Sequence, residues 1–549
     1  MNWILGILLL VIAVYFHYKH SQKKRLKNLN ILLKKNWGKP KEGEYYNFDL
    51  IERYFTNSLN KKIAFHIISD MTENDLDINE LFKFIDRTSS KIGQQYLYYK
   101  LRTIENKEKL KEFDKLIELF KNDNELRLQS QIVLSQLNSY NSYDLEKLIH
   151  NLDIKKPNYT KYLIPLSLTA IISIFLGFFY PIFFLVLIPV FSLNIIFHFK
   201  NKDNIYYYVS AVNQLSLALS VSKNLASFPE IRHYFTDFSF IKQIDKIELK
   251  TKFIGFEKHL VNEFAALAWY VAELIKIQFN IESIIFYRFI DDIIQKNKSI
   301  DTLFQFIGKI DAAISVASVK SGEYQTCQPE FNTKNIISVA EISHPIIKEC
   351  ITNDIELINK SLLLTGSNMS GKTTFIRTIA INSILAQTLH FSFAKEFSLP
   401  FYKVYSSIRI TDDLLDDTSY YLKEVLTIKE LIEASNDPEP CLFVLDEIFK
   451  GTNTIERISG GKAILSYLNK GNNFVFVSTH DVELTDLLKD ENFELYHFTE
   501  KIENNEMFFD HKLKKGKLKT RNAIKILELY DYPDEIIADA RKTEKDNFC

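Results

Sequence analysis

From Tyr162 to Phe199 the chain carries no Asp, Glu, Lys or Arg. A helix that crosses a bilayer needs about 20 apolar residues, so this tract is roughly two spans long. Gly177 and Pro181 interrupt it near the middle, and both residue types favour turns. The pattern predicts two transmembrane helices, 162–179 and 182–199, joined by a tight turn. Lys155, Lys156 and Lys161 precede the tract, and Lys200 and Lys202 follow it. Basic flanks mark the cytoplasmic side, so both ends are expected there, with the turn outside. A second apolar run, Trp3 to Phe16, is followed by Lys19, Lys23, Lys24, Arg25 and Lys27. Charge behind the run, rather than ahead of it, is the reverse of a cleaved signal peptide. It predicts a further span at about 3–18. The expectation is a multi-pass membrane protein in contact with the lipid bilayer, with most of the chain cytoplasmic.

What remains is too long for one core. At 549 residues and ~150 residues per domain, three or four units are expected. Gly 15 and Pro 12 are few, which favours long helices over a turn-rich β fold. The net charge of −1 gives no global basic field, so contact with nucleic acid has to come from a local patch. Lys19–Lys35 and Lys512–Arg521 are the two candidates. The first adjoins an expected span and suits anionic headgroups. The second reads as a solvated hairpin or a DNA contact. The four cysteines, Cys327, Cys350, Cys441 and Cys549, form no C-x-x-C pair. Neither a disulfide framework nor a zinc site is indicated.

Residues 28–160 and 201–323 have helical periodicity. From about Tyr324 short apolar runs alternate with helical patterns: Ile336–Val339, Leu362–Leu364, Cys441–Leu445 and Phe474–Val477. That alternation predicts a mostly parallel α/β sheet. The second run leads into Gly366-Ser367-Asn368-Met369-Ser370-Gly371-Lys372-Thr373 and then Thr374. The spacing Gly-x4-Gly-Lys-Thr is a phosphate-binding loop. Its glycines let backbone N–H groups turn inward on an anion, and the following helix adds its positive end. Lys372 can reach the β- and γ-phosphates of ATP, and the Thr373 hydroxyl can ligate Mg²⁺.

Cys441–Leu445 ends in Asp446-Glu447. Carboxylates at the tip of a buried strand need a partner. Mg²⁺ would be one for Asp446, opposite Thr373. Glu447 is then placed to act as general base on the attacking water. His480 ends the next strand, where a neutral imidazole could hydrogen-bond the γ-phosphate or that water. Ser419 fits the N-cap of a helix running to about Ala434, either as a plain cap or as an anion contact.

These motifs resemble the ATPase domain of the MutS family of DNA mismatch-repair proteins. Thr365 to Thr374 is similar to the family's phosphate loop. Leu445-Asp446-Glu447 through Gly451-Thr452-Asn453-Thr454 is similar to its acidic motif, and Ser478-Thr479-His480 to its Ala-Thr-His. His344-Pro345, Asn353-Asp354-Ile355 and Asp412-Asp413 with Ser419 also match. The resemblance implies that Ser419 reaches the nucleotide of a partner subunit, hence a homodimer with composite ATP sites and DNA as a partner. It extends loosely over Asp86-Arg87-Thr88 to Gly93, near the start of the family's helical core. The tail from Asn522 to Ala540 resembles the family's dimerising helices. A counterpart of the family's mismatch-reading N-terminal domain is not expected ahead of the helical core, so the resemblance does not carry mismatch recognition over.

The expected architecture is therefore mixed. Residues 1–27 form an anchor and basic flank, 28–160 a helical core, 161–200 a membrane hairpin and 201–323 a helical lever. Residues 324–500 form a P-loop ATPase of α/β type, and 501–549 a hairpin and helical tail. The expected activity is Mg²⁺-dependent ATP hydrolysis coupled to DNA. The alternative is an ATP-driven switch that acts on a membrane or protein partner without DNA.

Overall fold

The computed structural model describes residues 2–150, 156–254, 263–409, 420–449, 452–503, 506–518, 523–530 and 532–548. The chain forms two compact units that interleave in sequence. One comprises Met1–Asn60, Ile85–Tyr99 and Phe113–Gly322; the other comprises Lys61–Phe84, Lys100–Glu112 and Glu323–Cys549. Residues 28–160, expected to form one helical segment, thus contribute to both.

The first unit is helical. Its main elements are α1 (Asn2–Lys35), the start of α2 (Lys91–Arg102), α3 (Thr160–Gly177), α4 (Leu187–Leu225), α5 (Glu263–Gln278) and α6 (Ile281–Lys320). In α1 the side chains of residues 1–14 lie outside the described ones, so the expected span at 3–18 is helical, with no account of its surroundings. The phrase Asp86 to Gly93 is a buried polar knot. Asp86 accepts from Lys41 Nζ at 2.8 Å, from Gln94 Nε2 at 2.8 Å and from the Thr88 backbone N–H at 2.9 Å. Asp311 of α6 accepts from the Ser89 and Ser90 N–H groups, both at 2.8 Å. Those donors would otherwise be orphaned at the start of α2. The two helices touch through glycine: a Cβ on Gly93 would lie 2.1 Å from Asp311 Oδ2, and one on Gly308 would lie 2.3 Å from Tyr96 Cβ.

The apolar tract forms a helical hairpin. A 3-10 turn, Pro181–Val186, separates α3 from α4. Phe178, Phe179, Ile182 and Leu185 are 79, 67, 70 and 60% exposed. A water-soluble chain rarely leaves so many large apolar side chains uncovered together. The second arm does not stop near residue 200: α4 runs unbroken to Leu225, because Lys200 and Lys202 are good helix formers. A third helix, Ile281–Lys320, is also long and apolar enough to span a membrane, but 83% of its apolar window is buried in protein. It is a core helix, kinked at Lys296 where φ is −121°.

The second unit is α/β. Its main sheet contains β1 (Ser361–Thr365), β2 (Lys403–Ser407), β3 (Cys441–Asp446), β4 (Phe474–Ser478), β5 (Phe493–His497) and β6 (Lys514–Lys515), in the order β6-β5-β1-β4-β3-β2. All neighbours are parallel except β5 and β6. Three helices are needed below: α7 (Lys372–Leu389), α8 (Tyr420–Ser435) and α9 (Thr454–Leu468). Every residue of β1 and β4 is buried, as expected of a parallel sheet covered on both faces. Alternation assigns the faces. Leu363, Phe443, Leu445, Val475 and Val477 pack with Ile428, Leu431, Leu465 and Leu468 of α8 and α9.

A smaller sheet pairs Ile336–Ile342 with Asn353–Ile358 and Glu396–Leu399. The segment from Lys61 joins this unit through carboxylates. Asp75 accepts from Ser406 Oγ at 2.7 Å and from the Ile408 and Arg409 N–H groups at 2.9 and 2.8 Å.

Two predictions follow from packing and burial. Gly308→Ala should destabilise the helical unit by about 1–3 kcal/mol, read as a lower denaturant midpoint. In the α/β unit burial pushes both His66 and His344 down to about 4 from 6.5. The unfolded chain binds more protons than the folded one between those values, so this stability is complete above pH 6.5 and falls as pH drops toward 4. Denaturation midpoints across that window should decline, and His66→Gln should flatten the slope.

Candidate active site

The phosphate-binding loop follows β1. Gly366 has φ 146° and Gly371 φ 104°, a region that disfavours any side chain. A Cβ on Gly366 would lie 2.8 Å from Ser370 Oγ and 3.0 Å from the Phe498 carbonyl oxygen. Gly371 is the N-cap of α7, so the loop turns directly into a helix start. Lys372 is buried, and its Nζ donates to the Gly366 and Ser367 carbonyls at 2.7 and 2.9 Å. Ser370 Oγ donates to the Ser367 carbonyl at 2.7 Å, and Met369 is exposed. Ser367 Oγ is buried without a hydrogen-bond partner. A cradle with an orphaned hydroxyl, a curled backbone and a buried ammonium suits a phosphate.

Strand register brings the other groups to this loop. Ser478 of β4 lies level with Leu364 of β1 and with Asp446 of β3. The carboxyl ends of three adjacent parallel strands therefore sit side by side. Thr373 Oγ1 donates to Asp446 Oδ2 at 3.0 Å. Neighbouring oxygens around an octahedral Mg²⁺ are ~2.9 Å apart at ~2.1 Å bond lengths, so this pair fits one edge of such a shell. Ser478 Oγ donates to the other oxygen of Asp446 and fixes the carboxylate's rotation.

His480 Nε2 is 3.0 Å from Glu447 Oε1 and 3.4 Å from Lys372 Nζ. Base candidate, imidazole and loop lysine thus form one connected group. Glu447 is held in the left-handed region at φ 58°, as is Phe449, while the Glu447 N–H donates to the Ser478 carbonyl at 2.9 Å. Such strain in a non-glycine residue persists where surrounding structure enforces it, commonly at functional sites. Arg457 of α9 clamps the loop after β4 from behind: its Nε and Nη2 donate to the two oxygens of Asp481 at 2.8 and 2.7 Å.

The structure thus brings together Gly366, Ser367, Ser370, Gly371, Lys372, Thr373, Asp446, Glu447 and His480. Thr374 faces a neighbouring cavity. Ser419 lies outside the described residues, as does the Asn368 side chain. The cavity was not apparent from the sequence. It encloses about 250 Å³ beside Gly371 and is lined chiefly by Ile351, Asn353, Phe375, Phe498 and His511. Asn353 ties its wall together: its Nδ2 donates to the His511 carbonyl at 3.1 Å, and its Oδ1 accepts from the Leu513 N–H at 2.7 Å. His511 in turn contacts the Ser370 carbonyl through Nδ1 at 3.0 Å. The Asn353-Asp354-Ile355 motif was visible, but nothing local linked it to His511.

Comparison with known proteins agrees with this geometry. Residues 362–546 match the family model of MutS domain V, an ATPase domain. The chain is 31% identical over 254 residues to the DNA mismatch repair protein MutS of Lysinibacillus sphaericus (strain C3-41), covering 44% of this chain and 29% of that protein. It is 31% identical over 253 residues to the proteins of the same name from Bacillus thuringiensis (strain Al Hakam) and Bacillus cereus (strain 03BB102), covering 44% of this chain and 28% of each. The matched segment therefore spans less than a third of each relative. Over residues 362–546, the segment that builds this site, the chain is similar to MutS domain V.

Proposed function

We propose that this chain is a membrane-anchored ATPase that hydrolyses ATP in a homodimer. The observation that carries the reading is the convergence of Lys372, Thr373 with Asp446, and Glu447 with His480 on three aligned strand ends. The loop N–H groups and Lys372 would hold the β- and γ-phosphates. Thr373 and Asp446 would hold Mg²⁺, which offsets phosphate charge when bound. The largely apolar cavity beside Gly371 is placed to take the base, with the His511 ring at its wall. Glu447 would accept a proton from the attacking water, and His480 would orient Glu447 and the γ-phosphate. Gly366–Thr374 is thus the binding loop, and Ser419 would complete the site of the partner subunit.

The exposed apolar hairpin supports anchoring in a bilayer, and its basic flanks support a cytoplasmic ATPase. By analogy with the relatives' name, DNA is the first partner to test. A second reading, an ATP-driven switch without DNA, is favoured by one feature. In the C-terminal basic segment, Lys514 pairs with Asp510 at 2.6 Å, Lys517 with Asp486 at 2.7 Å, and Lys515 with Glu494. Lysines paired within the chain offer less charge to phosphates.

Two experiments test these readings. Lys372→Ala should abolish nucleotide binding, whereas Glu447→Gln should bind ATP within threefold of the parent while turnover falls about a hundredfold or more. Unchanged turnover in Glu447→Gln would remove the base assignment. ATPase rates of the detergent-solubilised protein should rise on adding homoduplex, mismatched or branched DNA if DNA is the partner. A flat response with no binding to any of the three would leave the switch.

A further inference from the structure

Beyond the two expected arms of the hairpin, a third element reaches the same depth. α5 and α6 meet at a sharp corner, where Asn280 adopts φ 48°. The last carbonyls of a helix have no intrahelical partner. Here the hairpin supplies partners for two of them. Ser167 Oγ of α3 shares its proton between the Phe279 carbonyl at 2.6 Å and the Leu163 carbonyl of its own helix at 2.8 Å, and Asn194 Nδ2 of α4 donates to the Gln278 carbonyl at 2.7 Å. Asn280 Nδ2 returns a bond to Asn194 Oδ1 at 2.7 Å. In hydrocarbon, non-helical backbone persists only when protein satisfies it in this way.

The depth follows from helix geometry. At ~1.5 Å per residue, Ser167 lies ~10 Å along α3 from Thr160, and Asn194 lies ~9 Å along α4 from Lys200. Both arms place the corner at the same level, inside the apolar tract. The last turns of α5 are polarised in the inverse sense to a water-facing helix. Val271, Leu274 and Ile275 point outward and are 52, 53 and 48% exposed. The ionisable groups point inward: Glu273 is 3.2 Å from Lys276 and 3.8 Å from His198 Nε2, and Glu282 is 3.9 Å from His198 Nδ1. Charged groups turned to protein and apolar groups turned outward are the arrangement of a lipid-exposed surface. Beside Ser167 and Asn194, at the level of the corner, the hairpin itself exposes Ile164, Leu168, Leu193 and Ile196, which names the occupant of this outward face.

We propose that the α5–α6 corner is a re-entrant element that enters the cytoplasmic leaflet beside the hairpin, with Val271, Leu274 and Ile275 against acyl chains. It rests on the reading of Thr160–Lys202 as a membrane hairpin. The full chain, reconstituted in phosphatidylcholine vesicles that carry an acyl-chain diazirine, is irradiated and mapped by mass spectrometry. Lipid adducts are expected on the hairpin peptides and on the peptide containing 271–275. Adducts on the hairpin alone would overturn the re-entrant corner, whether water or a second copy covers that face. Adducts on neither would overturn the membrane hairpin itself. In a Ser167→Ala, Asn194→Ala double variant, adducts at 271–275 should fall at least fivefold while those on the hairpin persist; undiminished labelling there would refute the anchoring role of these side chains.

Discussion

The candidate site of the α/β unit depends on the in-register pairing of β1, β4 and β3. Parallel strands fix which residues share a level, and here Leu364, Ser478 and Asp446 share one. A slip of one residue would bring Leu445 or Glu447 to that level in place of Asp446. Both faces of the three strands are apolar, and side-chain bonds tie their starts together: Ser361 Oγ accepts from the Val475 N–H at 2.7 Å, and Asn473 Oδ1 accepts from the Cys441 N–H at 2.9 Å. This pairing is what places the carboxylate 3.0 Å from the Thr373 hydroxyl. Its final orientation comes from Ser478, whose Oγ donates to the other carboxylate oxygen.

That rigid frame tolerates local strain. Gly366 and Gly371 occupy backbone regions open chiefly to glycine, and the nearby Phe498 carbonyl and His511 ring leave little room for a side chain. Glu447 occupies the left-handed region without being glycine, a cost of order 1–3 kcal/mol. The strain turns its carboxylate out of the strand direction and toward His480. An unstrained residue following Asp446 would continue the strand and face away.

Legibility in the sequence followed the range of the interactions. The phosphate loop is a run of consecutive residues whose spacing is its geometry, and Asp446, Glu447 and His480 stand at the ends of apolar runs. The hairpin was equally plain, because uncharged length is a local property. Long-range polar bonds left no such trace. Asp75 closes the short helix Asp70–Asp75 and Asp77 follows it, with no motif to mark either, yet Asp75 caps the end of β2 and Asp77 pairs with Arg377 at 3.3 Å and Arg409 at 2.6 Å. Lys61–Phe84 therefore belongs to the α/β unit against the drift of its composition. The cavity beside Gly371 was hidden for the same reason: Ile351 and His511 lie far apart in the chain and meet only in the fold.

In the helical unit, buried polar bonds do the work that apolar packing does in the sheet. α4 and α6 have 39 and 40 residues, each ~60 Å long at ~1.5 Å per residue. α4 begins in the hairpin and carries Gln214, which accepts from Ser142 Oγ at 2.8 Å. α6 begins at the corner and carries Asp311, which caps the start of α2. Helices of this length transmit displacement because they bend only where the ladder is interrupted, and α6 has one such point, at Lys296. A tilt of the hairpin would thus reach Gln214 along unbroken α4, whereas in α6 the kink at Lys296 lies between the corner and Asp311. The polar knots at those residues are satisfied in one arrangement, and breaking a buried, hydrogen-bonded carboxylate is costly.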